Sequence, residues 1–261
     1  VKTVTFSNNK GGVGKTTFST HTAALLAAMG YQVLLIDMDA QANATMSFGL
    51  EPSPGLYEVM VRGRDLIDTL VSPVPETYCP PGTEPKGKLF VLPGNYETHA
   101  IMSVVTDKDK LADVLEDVED AIDIVVIDTP PSPGLLLALA YSATDYIVVP
   151  TQMEYLSVAG LTQTIYTAER SGIKLAGVVP NQFRSSTALH QHHLEQLQEA
   201  GREFGWPVWN PIALRIVWGE ASTMRQMVYS LEGEVGAARS EAIALARGVE
   251  SVVMGARHGA R

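Results

Sequence analysis

The chain has 261 residues, 46% of them hydrophobic and 18% charged, with a mean hydropathy of +0.07, which permits a sizeable buried core and excludes collagen-like or wholly disordered material. Nineteen Lys and Arg stand against 29 Asp and Glu, a formal charge of −10; taken whole, the molecule repels nucleic acid and anionic lipid. The lone cysteine, Cys79, excludes an internal disulfide and a cysteine-built metal cluster within one chain and suits a reducing, cytoplasmic setting.

In chain order, β-rich runs at 2–7, 32–37, 88–92, 122–128, 145–150, 174–180 and 206–209 alternate with helical patterns. That alternation predicts a doubly wound, mostly parallel sheet flanked by helices in one domain spanning 1–261. Near-continuous apolar runs such as Ile122–Ile127, interrupted only by Asp123, suit strands covered on both faces. Val1–Phe6 reads as a strand rather than a signal peptide, and no apolar run reaches the roughly 18 residues of a membrane span. Phe18, Thr22, Leu25 and Met29 fall at helical spacing and Gly30 follows as a stop. Residues 71–88, with five prolines and two glycines, predict an irregular loop. A surface helix is expected over 107–120 and another over 185–204, the latter with a stripe Leu189, His193, Leu197, Ala200, Phe204. C-terminal helices are expected at about 220–257, the last burying Ala242, Leu245, Ala246, Val249, Val252 and Val253.

The strongest motif is Lys10-Gly11-Gly12-Val13-Gly14-Lys15-Thr16-Thr17, between the first strand and the first helix. Glycine-rich backbone there aims consecutive N–H groups at phosphate oxygens and the helix N-terminus adds partial positive charge. Lys15 reaches β- and γ-phosphates, and the Thr16 hydroxyl suits Mg²⁺. The site therefore predicts a nucleoside triphosphate with magnesium. The general pattern wants glycine at position 9, where this chain has Asn9, and a second lysine, Lys10, follows. Asp128 ends an apolar strand, where a carboxylate is costly unless it meets donors or a cation; holding Mg²⁺ through water is its natural use. Asp39 follows the second strand, and Asp37 reads as structural or as supporting Mg²⁺ from behind its direct ligands. His190, His192 and His193 lack neighbouring Cys or carboxylate at ligand spacing, which favours a packed helix over a metal site.

The KGGVGKTT run resembles the deviant Walker A motif of the ParA/MinD family of ATPases. The resemblance continues through Asp37-Met38-Asp39-Ala40-Gln41-Ala42-Asn43-Ala44-Thr45, with Ala40 where proline is usual, through Ile127-Asp128-Thr129-Pro130-Pro131, and through the segment from Val149 to Leu161. It implies ATP and Mg²⁺ as cofactors, Asp39 positioning the attacking water, and Lys10 reaching the partner's phosphates in an ATP-dependent homodimer. It further implies Asn181 and Pro211 at the adenine, and DNA-contacting basic residues in the C-terminal region, where Arg215, Arg225, Arg239 and Arg247 lie. Without a helix-turn-helix before the loop the chain is similar to short, Soj-like members. Those bind DNA without sequence preference at the nucleoid and answer to a ParB-like or other cargo adaptor that stimulates slow hydrolysis.

The charge divides accordingly: residues 1–200 carry −11 and residues 201–261 carry +1, so the acidity belongs to the nucleotide-binding part. A MinD-like membrane ATPase is the main alternative. Such proteins use a basic amphipathic tail, whereas Ser240–Arg261 has no Phe, Trp or Lys; no membrane partner is expected. A metallocluster reductase relative is disfavoured by the single Cys79, and a ligase relative by the lack of a substrate motif.

Overall fold

In the computed structural model, residues 1–154 and 157–255 are described, with only the backbone of 157–159. Six strands, β1 (Lys2–Phe6), β2 (Gln32–Asp37), β3 (Lys88–Leu92), β4 (Ile124–Asp128), β5 (Tyr146–Gln152) and β6 (Lys174–Asn181), form one sheet in the order β3-β2-β4-β1-β5-β6. Every neighbouring pair is parallel. The helices are α1 (Lys15–Met29), α2 (Asn43–Met46), α3 (Gly55–Arg62), α4 (Leu66–Thr69), α5 (Pro75–Tyr78), α6 (Ile101–Val104), α7 (Lys110–Glu116), α8 (Leu135–Ser142), α9 (Ser157–Arg170), α10 (Ala188–Phe204), α11 (Ile216–Thr223) and α12 (Gly236–Val253).

Because side chains alternate along a strand, one sheet face sends Val4, Phe6, Val33, Leu35, Ile124 and Val126 toward α1 and α12. The other sends Leu34, Ile36, Val125 and Ile127 into a second cluster with α3 and α8. Caught between sheet and α12, α1 is buried nearly all round. One of its hydroxyls turns back on the helix: Thr20 Oγ1 donates to the Thr16 carbonyl at 2.7 Å, which satisfies it without a tertiary partner. Gly30, at φ +122°, ends it.

Several expectations need correcting. Residues 206–209 do not form a strand; Val208 makes a single parallel bridge to Val178, and Ile212 and Ala213 continue beside Pro180 and Phe183 as irregular backbone along β6. The helix expected over 107–120 is limited to Lys110–Glu116. The buried stripe of α10 is His193, Leu197 and Gly201, whereas Leu189 and Phe204 are 58% and 59% exposed, because the face that packs in the cluster with Met153, Leu161 and Val178 carries Leu194 and Leu197. In the C-terminal part α11 and α12 are separated by irregular residues 224–235, and Val252 faces outward on α12. Residues 256–257 of the expected helix, with the rest of the tail to Arg261, lie outside the described residues. Residues 71–88 are irregular apart from one turn at α5 and a bridge from Val71 to Val91 that covers the edge of β3; Cys79 is buried beneath them.

Candidate nucleotide site

Parallel packing brings the ends of β1, β2, β4, β5 and β6 to one edge of the sheet, where ligands of open α/β sheets bind. A cavity of about 700 Å³ opens there, lined among others by Gly11, Gly12, Gly14, Lys15, Thr16, Thr17, Asp39, Asn181 and Gln182. The loop after β1 supplies its floor. Gly14 sits at φ +105°, and a Cβ there would stand 2.4 Å from Asn181 Nδ2, so both conformation and space demand glycine. Lys15 Nζ donates to the Lys10 carbonyl at 3.2 Å across the loop. Burial holds its ammonium below the usual lysine range, opposed by Asp128 and Asp39.

The loop meets a buried acidic pair. Asp37 and Asp128 end adjacent strands as register partners, and both are fully buried. Asp128 accepts from Thr16 Oγ1 at 2.8 Å and Ser19 Oγ at 3.0 Å. Asp37 accepts from Thr45 N and Oγ1, both at 2.7 Å, and from Asp39 N at 3.2 Å, fixing the turn that carries Asp39. Burial first, then the charge of Asp37, pushes Asp128 up to about 8; burial raises Asp37 to about 6. Two carboxylates side by side with hydroxyl oxygens, insufficiently compensated by one lysine, fit a hard divalent cation held by oxygen. Asp39 is half-buried on the cavity wall, its Oδ1 accepting from Gln41 N at 3.0 Å.

Lys10 stands apart from this arrangement. Its side chain is paired with Glu154, which follows β5, and does not line its own cavity; the pairing lowers the Glu154 carboxyl below its ordinary value.

Asn181 is on the cavity wall, but one Nδ2 hydrogen goes to the Val13 carbonyl at 2.8 Å and its Oδ1 accepts from Gln182 N at 2.7 Å. Pro211 is not brought to this cavity: it lines a separate one of about 510 Å³ between residues 208–212 and α12, because the backbone bond from Ile212 N to Pro180 O turns the chain so that Ala213–Ile216 reach the nucleotide side instead. Three of the four arginines are engaged by their own chain. Arg215, on the cavity wall, makes a two-pronged pair with Glu241 of α12, at 2.9 and 3.3 Å. Arg225 pairs with Glu51 at 3.3 Å. Arg239 turns inward, Nη2 donating to Tyr229 O at 3.1 Å. Arg247 is exposed on α12. In the histidine run, His193 Nδ1 lies 3.0 Å from the Met153 carbonyl and His190 Nδ1 accepts from Arg184 N at 3.2 Å, which is a packed helix.

Residues 1–175 match a sequence family described as an AAA domain. The chain is 30% identical over 250 residues to the chromosome-partitioning ATPase Soj of Treponema pallidum, covering 92% of this chain and 93% of that one. The chain belongs to the ParA/MinD family of ATPases. A second relative, the chromosome-partitioning ATPase Soj of Thermus thermophilus, is 33% identical over 215 residues, 80% of each chain. Among solved structures, an ATP complex of McdA from Cyanothece matches 100% of this chain and 99% of its own with a TM-score of 0.81 at 19% identity, a likeness of fold. Within this ParA/MinD frame, motif reading assigned no role to Gln152, Gln182 and Glu154, although Gln152 and Glu154 lie in the Val149–Leu161 segment that carries the resemblance. A further signal was polar side chains at or just past the ends of apolar strands, the position that Asp128 also occupies.

Proposed function

We propose that this chain, acting as one unit over residues 1–261, is a ParA-type ATPase that closes as a homodimer on MgATP and positions a cargo over DNA, with a cargo-bound adaptor stimulating hydrolysis. The observation that carries the reading is the placing of the two lysines: Lys15 lies in the cavity with Thr16, Asp39 and Asp128 behind it, while Lys10 stays outside, available to a second copy. Gly11–Thr17 bind the phosphates, Lys15 holds the β- and γ-oxygens, and Thr16, with Asp128 through water, holds Mg²⁺. Bound there, the ion neutralises charge on the transferring phosphoryl group. Asp39 orients the water that attacks the γ-phosphorus as the bond to the ADP oxygen breaks, so ATP and water become ADP and phosphate. Lys10 of a second copy adds charge stabilisation, the part an arginine finger plays in other P-loop enzymes. Asn181 retains one amide hydrogen and one oxygen lone pair for a base.

A DNA surface built from the arginines has Arg247 and the pair-bound but exposed Arg225 to offer, so each monomer presents little and a dimer doubles it. Phosphate-directed binding of this kind is steeply salt-dependent. The test is retention on DNA and on anionic liposomes with ATP, ADP or no nucleotide at two salt concentrations, alongside sizing. ATP-dependent retention on DNA, lost at high salt, together with a dimer that Lys10→Ala abolishes, is expected. Retention on liposomes alone would transfer the reading to a MinD-like membrane ATPase, and an unchanged Lys10→Ala dimer would remove the cross-subunit role.

A further inference from the structure

A phosphate-binding loop has a requirement that its glycines do not meet. Each trans peptide plane holds its N–H opposite its C=O, so a loop that presents consecutive N–H groups to phosphate turns its carbonyls the other way, where they need donors. In this chain those donors are side-chain amides from the ends of two neighbouring strands. Gln152 Nε2, at the end of β5, donates to the Gly12 carbonyl at 3.0 Å, and its other hydrogen is placed for Gln182 Oε1, also at 3.0 Å. Gln182 Nε2, just past β6, reaches the same Gly12 carbonyl at 3.3 Å. Asn181 takes the next carbonyl, Val13. The Gly12 and Val13 carbonyls share peptide planes with the Val13 and Gly14 N–H groups, so three amides fix the aim of two donors.

Two further features mark this as a built arrangement. Gln152 and Asn181 are register partners in the parallel pairing of β5 with β6, so the sheet itself sets the spacing between the amides. Gln182 is held at φ +54°, in the left-handed region that non-glycine residues rarely adopt; it turns the residue after Asn181 back toward the loop instead of along the strand.

We propose that Gln152 and Gln182 are positioning residues for the phosphate loop: an amide clamp, oriented by their mutual hydrogen bond, that presets the Val13 and Gly14 N–H groups for the triphosphate. The inference rests on the cleft binding ATP, and the test separates the two claims. ATP affinity is measured by calorimetry, and the unfolding temperature of the nucleotide-free protein is measured beside it, for the wild type, Gln152→Met, Gln182→Met and the double variant. Methionine keeps the length and removes the donor.

Gln152→Met is expected to weaken ATP about three- to tenfold, Gln182→Met less, and the double variant little more than Gln152→Met, because Gln182 is oriented by Gln152. Unfolding temperatures are expected to stay within about 2 °C of the wild type. Gln152→Glu supplies a readout that simple packing would not move. Its carboxylate cannot donate to Gly12, whereas its protonated form can, so its affinity relative to the wild type at the same pH should recover as pH falls toward about 4, the ordinary titration range of glutamic acid. A wild type that fails to bind ATP would sink the nucleotide reading. A wild type that binds ATP with all variants equal to it, or variants whose affinity falls only in step with their unfolding temperature, would overturn the clamp.

Discussion

At the C-terminal edge of the sheet, polar groups converge on open space: Lys15, Thr16 and Asp39 line a cavity that their own chain does not fill, with Asp128 bonded to Thr16 behind them. Across α1, in residues 205–255, the charges do the reverse. Arg215 is closed by Glu241, Arg225 by Glu51 and Arg239 by the Tyr229 carbonyl. The first region is organised for a ligand and leaves its own electrostatics unbalanced until one arrives. In the second, Arg215, Arg225 and Arg239 already have partners in their own chain, although Arg239 Nε is buried without one among the described residues, so these arginines serve folding before they can serve any partner. Net charge by segment does not distinguish these cases; only the contacts do.

The largest break in that contrast should come from exchanging the ligand-facing lysine for an inward arginine. Lys15→Ala is expected to weaken ATP by about two orders of magnitude with the fold retained. Arg239→Ala should leave ATP affinity within about twofold and lower the unfolding temperature, since it withdraws a donor from the Tyr229 carbonyl. Equal losses of ATP from both variants would erase the distinction.

Next in size is the loop geometry. Gly14→Ala places a Cβ 2.4 Å from Asn181 Nδ2 at φ +105°, and stability should fall by about 2 kcal/mol or more along with loss of ATP binding; denaturant unfolding reads the first and calorimetry the second.

The two regions are joined by His21, and pH should loosen the joint. On α1, its Nδ1 donates to the Thr17 carbonyl at 2.7 Å and its Nε2 accepts from Val228 N at 2.9 Å, so the neutral ring fits and the cation opposes the Val228 donor. Burial lowers His21 to about 4 from an ordinary 6.5. The unfolded chain therefore binds the extra proton first. The contribution is complete above pH 6.5 and is lost as pH falls toward 4, about 3 kcal/mol over that window. Unfolding free energies for the wild type and His21→Gln at pH 7 and pH 5 should converge as pH falls; parallel curves would mean that His21 does not titrate on unfolding.

The smallest effect belongs to the Arg225–Glu51 pair, whose side chains are 48% and 84% exposed. Arg225→Ala should change stability by about 0.5 kcal/mol or less while reducing ATP-dependent retention on DNA. A large stability loss without change in retention would place Arg225 with the internally committed arginines.

How much of this was legible follows from how far apart the cooperating residues lie. The phosphate loop could be read directly because Lys10–Thr17 are contiguous and glycine's freedom is a local property. The six strands could be read because apolar runs bounded by turn residues are local too. The strand expected at 206–209 failed for a nonlocal reason: one bridge to Val178 is all that the edge of β6 offers before Trp209 packs against Gly177 and Gly248. The surroundings of Pro211 and Arg215 were hidden for a similar reason, since residue type could not reveal that Ala213–Ile216 would turn to the cavity or that Glu241, 26 residues on, would hold Arg215.

By itself the sequence determined a parallel α/β protein with a triphosphate loop carrying two lysines, because strand, turn and helix signals and the motif are short-range. Only the tertiary structure decided that Asp37 and Asp128 share a register, that Lys10 turns to Glu154 and away from its own cavity, and that Gln152, Asn181 and Gln182 hold the loop's carbonyls. Those relations depend on which strands lie side by side, and strand order is set by burial of both sheet faces over the whole chain rather than by any stretch of it.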